Sequence, residues 1–120
     1  LRDTQEIWLQ AGYAQFAAHG PQGLKAEQLA REVGISKSSF YHHFADLEVF
    51  MGLLLAEFRA RAVHIAQLEA ACPSIDPHLI DLLLAHQTDL FFSRQLRVHR
   101  HLPAFEAALL KQTPLWATLC

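Results

Sequence analysis

The sequence predicts an all-α protein, a three-helix head followed by a longer helical body. Three observations carry that reading. Ala and Leu dominate a composition that is 52% hydrophobic, with only five Gly and five Pro among 120 residues, a balance that favours helices over sheets. Apolar side chains recur every three or four residues along most of the chain. No segment alternates as a strand does, and none is repetitive or of low complexity.

The elements follow in order. Residues 4–19 read as a first helix: Leu9, Gly12, Tyr13 and Phe16 fall at i, i+3, i+4 and i+7, and Gly20 suits the left-handed position that closes a helix. Pro21-Gln22-Gly23 is a connector. A second helix spans about 25–33, with Leu29, Ala30 and Val33 facing inward, and Gly34 makes a tight turn. Ile35 plugs the core and Ser36 caps a short third helix over about 36–43, in which Phe40 and Phe44 share one face. Asp46 is an N-cap with Glu48 in the first turn, and the helix it opens runs to about 71 with Phe50, Leu53, Leu54, Phe58 and Ile65 on its apolar side. Cys72-Pro73-Ser74 breaks it. Asp76-Pro77 starts another helix, to about 92, with Leu79, Leu82, Leu83, His86 and Leu90 on one face. A short helix near 94–101 and one from Pro103 to about Gln112 complete the string.

The stretch from Leu29 to Tyr41 carries the functional signal. Ala30 is small where two helices cross, Gly34 turns, and Ile35 and Phe40 pin the second helix of the pair. The short helix then presents Ser36, Lys37, Ser38, Ser39, Tyr41, His42 and His43, whose donors suit phosphate oxygens, with Lys37 able to reach a guanine edge.

Together with Gly20, Gly23-Leu24, Tyr41-His42-His43-Phe44 and Asp46-Leu47-Glu48, this pattern resembles the N-terminal domain of the TetR family of bacterial regulators, over about residues 4–58. The resemblance implies a homodimer, usually a repressor, whose first three helices bind a palindromic operator. It implies further helices that form a ligand pocket and a dimer interface, with the fourth helix transmitting the ligand signal. By position, Tyr41 matches a tyrosine that contacts phosphate. Lys37, Ser38 and Ser39 match the reading start of the recognition helix, and Phe44 matches a core aromatic. Three positions depart. Lys25-Ala26 replaces the usual threonine that caps the second helix, leaving Lys25 as a substitute anchor. Glu27 stands where neutral or basic residues are common. Leu47 replaces a lysine before Glu48 that contacts phosphate.

Charge runs against the motif. The formal net charge is −2, and residues 1–50 hold Arg2, Lys25, Arg31 and Lys37 against Asp3, Glu6, Glu27, Glu32, Asp46 and Glu48. Nonspecific affinity for DNA comes mostly from neutralised phosphates, so this head should bind weakly.

Other chemistries find little support. The eight histidines do not fall at ligand spacings: His42-His43 and His99/His101 splay apart on a helix, and His78 and His86 are two turns apart. No metal or cofactor is expected. Cys72 and Cys120 suggest no disulfide framework, and no triad, phosphate loop or paired carboxylates point to an enzyme. No run of about 18 apolar residues or leader is present, so a cytoplasmic protein without a membrane partner is expected. The chain starts at Leu1 and stops at Cys120, and both ends read as cut.

The expectation is therefore a helix-turn-helix DNA-binding domain at 1–45 and an incomplete effector-binding and dimerisation domain at 46–120. Double-stranded operator DNA, an unknown small-molecule effector and a second copy are the expected partners. His86, Phe91, Arg97 and Phe105 are the candidate effector contacts, and Trp116 and Leu119 add apolar surface for the missing helices. Arg94, Arg97 and Arg100 read as a solvated face. The competing expectation is a ligand- or partner-binding protein of the same fold whose DNA head has decayed.

Overall fold

Apolar periodicity becomes seven helices in the computed structural model, which describes residues 2–111, with side chains from Thr4 to Leu110. Gln112, Trp116, Leu119 and Cys120 lie outside the described residues. Helix α1 spans Arg2–His19 and ends in a 3-10 turn, Gly20–Gly23. Then come α2 (Ala26–Val33), α3 (Lys37–His43), α4 (Leu47–Ala71), a wide turn at Ile75–Leu79, α5 (Ile80–Ala85), α6 (Gln87–Val98) and α7 (Pro103–Lys111). Helix α1 lies along α6 and also touches α2 and α4, while α7 closes over α4 and α6. One continuous core therefore runs from Trp8 to Leu109.

Two aromatic groups form that core. In the first, Phe40 meets Trp8 edge-on at 5.4 Å between ring centroids, and Phe44 and Phe50 each at 5.0 Å. In the second, Phe92 stacks on Tyr13 at 4.2 Å and on Phe58 at 5.3 Å, and Phe16 bridges Phe92 and Phe105. Such rings dominate core energetics because each removes a large apolar area from water. Trp8 was absent from the predicted stripe of α1, yet it is fully buried, while Leu9 is only half-buried. On α4, Phe50, Leu54, Phe58 and Ile65 are buried as expected, whereas Leu53 is 39% exposed and Leu55 takes the inner position.

The helix caps follow from residue chemistry. Asp46 adopts an extended backbone and its Oδ1 accepts from the Val49 amide at 2.8 Å, satisfying one of the free donors at the start of α4. Gly20 and Gly34 both have left-handed backbones, with φ of 76° and 75°. A residue with a Cβ adopts that conformation at a cost, which explains the glycine after α2.

The region after α4 differs from the expectation. Asp76 is extended and Ile75–Leu79 forms a π-type turn, so regular helix begins only at Ile80. The helix expected to run to about 92 stops at Ala85: His86, with φ −114° and ψ 33°, separates α5 from α6. The short helix expected at 94–101 is the second half of α6 and a turn beyond it.

A polar contact accounts for the position of that break. Asp89, 3% exposed, accepts a 2.6 Å hydrogen bond from the Tyr13 hydroxyl. Arg61 of α4 approaches the same carboxylate at 3.6 Å and lies 4.7 Å over the Tyr13 ring, and it also bonds Glu57 at 2.9 Å. His86 Nδ1 is 3.4 Å from the other Asp89 oxygen. A carboxylate can be buried here because the Tyr13 hydroxyl donates to it and the Arg61 guanidinium lies beside it. This bond and the ring stack on Phe92 fix α6 to α1, while α5, which buries no residue, follows the preceding turn.

Two predictions follow. A Cβ on Gly12 would lie 2.4 Å from two Phe50 ring carbons, so Gly12→Ala drives α1 and α4 apart. Overpacking of this kind costs about 1–3 kcal/mol, which outweighs the ~1 kcal/mol an alanine gains in helix propensity, and urea denaturation should show the loss. Secondly, burial and then the adjoining Asp89 carboxylate hold the Tyr13 phenol protonated far above its ordinary 10.0. The unfolded phenol ionises near that value and the folded one does not. Stability should therefore be unaffected by Tyr13 below about pH 10 and fall above it, by about 1.4 kcal/mol per pH unit. Tyr13→Phe should remove that component of the decline when urea midpoints at pH 9 and pH 11 are compared.

Candidate nucleic-acid interface

The α2–α3 pair is built around its turn. The Gly34 amide donates to the Ala30 carbonyl at 2.9 Å, closing α2, and Ser36 then opens α3 with an extended backbone. Ser36 makes no side-chain capping bond; its hydroxyl pairs with that of Ser38 at 3.0 Å. Phe40 is 0% exposed and Phe44 is buried beside it, so the rotation of α3 about its axis is set.

That rotation decides which predicted contacts face solvent. Ser36, Lys37, Ser38, Tyr41 and His42 are exposed, and His43 is half-buried with its ring toward Phe44. Tyr41 is 47% exposed and braces edge-on against Phe40 at 5.2 Å, leaving its ring at the surface. Ser39 differs from the others. It is half-buried, and the Trp8 indole nitrogen donates to its hydroxyl at 3.4 Å, which turns it toward α1. Lys25 is exposed at the N-cap of α2 and makes no capping bond.

Lys37 has a protein partner that sequence reasoning did not assign. Its Nζ donates to Glu27 Oε2 at 3.0 Å, joining the first turn of α2 to the first turn of α3. The only signal for it was the unusual acid at position 27. Glu32, the other acid of α2, accepts from the buried Gln15 amide on α1.

The four effector candidates do not come together. His86 lines a cleft of about 250 Å³ with Glu57, Ala60, Arg61, His64 and Ile65, between α4 and the break before α6. Phe91, 46% exposed, lines a separate shallow groove with Ala17, Ala18, Arg94 and Gln95. Phe105 is a core residue against Phe16, and Arg97 is half-buried on α6. Of the arginines expected on a solvated face, Arg94 is exposed, and Arg100 is exposed in a two-point pair with Glu106, at 2.8 and 3.1 Å. Asp89, Tyr13 and Arg61 were missed as a group because their sequence separation hides a contact that only tertiary packing creates.

Among the described residues no group of three or more His, Cys, Asp or Glu side chains could hold a metal ion, and no helix is long and apolar enough to cross a membrane.

Comparisons agree with this geometry. The model of the family described as bacterial regulatory proteins, tetR family, matches residues 9–48, which include the α2–turn–α3 unit. The fold resembles the crystal structure of a protein from Mesorhizobium loti assigned to the TetR-family transcriptional regulators, with a TM-score of 0.59 and 21% identity. That match covers 88% of this chain and 58% of the other, so the chain spans little more than half the length of the structure it resembles. No curated protein matches the sequence. Residues 9–48 thus match the N-terminal helix-turn-helix model of the tetR family, and the all-α fold around them resembles that of a structure assigned to the same family.

Proposed function

We propose that the chain is the DNA-reading part, with some of the effector-binding part, of a ligand-responsive transcription regulator. In this reading two copies bind a palindromic operator in the cytoplasm and repress transcription until a small molecule releases them. The observation that carries it is the face of α3: Lys37, Ser38, Tyr41 and His42 stand exposed on a helix whose rotation is fixed by buried Phe40 and Phe44. Such a face offers donors to phosphates and base edges with little loss of backbone freedom on binding. His43 and Ser36 lie at its margins, and Lys25 supplies a cation where α2 meets the backbone.

We place the effector at the cleft beside His86. It opens directly onto Arg61, which joins α4 to the carboxylate that holds α1 and α6 together. A molecule that competes for Arg61 would therefore act on the contact between head and body. Residues 1–45 and 46–120 are the proposed division of labour, although they share one core.

The acidic balance of the first 50 residues favours a second reading, a ligand- or partner-binding protein of this fold that has lost DNA binding. Fluorescence anisotropy at low salt, on duplex from upstream of the protein's own gene, separates the two. The first reading expects saturable binding to one segment. Tyr41→Phe should weaken it about tenfold through loss of a charge-assisted hydrogen bond, and Lys37→Ala should also weaken it. The absence of any segment bound in preference to scrambled duplex would establish the second.

A further inference from the structure

Lys37 is the only lysine or arginine on the reading helix, and it is engaged by Glu27. Neither side chain is held by packing: Lys37 is 49% exposed and Glu27 62%. The Glu27 carboxyl is held below its ordinary range first by its own backbone amide and then by Lys37. Lys37 is held above its ordinary range by the hydrogen bond to Glu27 and by its charge. A carboxylate in the first turn of α2 thus occupies the ammonium of α3. A backbone phosphate approaching the head would use the same ammonium.

We propose that Glu27 is a specificity-determining residue of the DNA-reading surface, an internal stand-in for phosphate that withholds Lys37 from sequence-independent contacts. The inference builds on the DNA-binding function proposed above. A phosphate can reach Lys37 only by displacing the carboxylate or by lying beside it. In either case the positive charge that would release counterions is already neutralised within the protein. A guanine edge makes no such demand. The ammonium has three donors and gives one to Glu27, so two remain for O6 and N7, which are dipolar acceptors. The paired lysine is therefore selective for bases over backbone. An acidic head then discriminates strongly while binding nonspecific duplex poorly.

The test uses the full chain and its Glu27→Gln variant, an exposed substitution that keeps the side-chain shape. The probes are a duplex enriched from a random pool by the wild-type protein and a scrambled duplex of equal length, each titrated across a salt series. The variant should bind scrambled duplex several-fold more tightly. Its plot of log affinity against log salt should steepen by about 0.9 per head, the increment for one more neutralised phosphate. The preference for the enriched duplex should shrink, and Glu27→Gln combined with Lys37→Gln should restore the shallower slope. Unchanged slope and preference in Glu27→Gln would overturn the role of Glu27 while leaving DNA binding intact. Failure of both proteins to enrich any duplex would overturn DNA binding and this role together. The pair is also measured without DNA: a Lys37 side-chain nitrogen shift indifferent to Glu27→Gln would overturn the proposal by itself.

Discussion

A helix of seven residues cannot hold itself together in water, because isolated helices shorter than about 12–15 residues are marginal. Helix α3 is that short, and its existence and orientation depend on the burial of Phe40 among Trp8, Phe44 and Phe50. The ring is contributed by α3 itself, and its partners come from α1, from the residue that ends α3, and from α4. The polar face of α3 is therefore a consequence of apolar chemistry on its other side. Ser39 illustrates the limit of the exposed arc, since one step around the helix brings its hydroxyl under the Trp8 indole.

The second group of rings, around Phe92, positions this head on the rest of the molecule. Helix α1 contributes Trp8 to one group and Tyr13 and Phe16 to the other, so it is the beam that both share. Tyr13 adds a directional contact through Asp89, and Arg61 brings α4 to the same carboxylate. Asp89 is buried while Arg61 is 41% exposed, so desolvation of the carboxylate offsets much of their Coulomb attraction and the pair acts mainly through where it holds the helices. Here the arrangement it specifies is the angle between α1, α4 and α6. The cleft beside His86 and Arg61, proposed above for the effector, adjoins that joint.

Local chemistry made much of this legible in the sequence. Gly34, Asp46 and the spacing of Phe40 and Phe44 are signals whose meaning is fixed within a turn or two of chain, and each is realised in the fold. Trp8 escaped because Leu9, Gly12, Tyr13 and Phe16 formed a plausible stripe that lay slightly off the buried one. The break at His86 had no local marker: residues 78–102 contain neither glycine nor proline, and the interruption comes from the hold of Tyr13 on Asp89, 76 residues away. At the reading surface the residue types were visible, but the partner of Lys37 was not, because Glu27 lies on a different helix. The effector candidates are apolar or basic residues of the body, and the fold scatters them between core, groove and cleft.

The head is thus an apolar wedge that carries a nearly neutral polar face, and in the proposed reading its selectivity depends on geometry more than on charge. Backbone amide shifts of the full chain, followed by NMR as a duplex enriched from a random pool is added, test that account most directly. The largest changes should fall on Ala26 and Glu27, on Lys37 to His43, and at the start of α4, with little change around Phe92. Changes confined to the surroundings of His86, or spread evenly over the chain with none concentrated on α3, would contradict it.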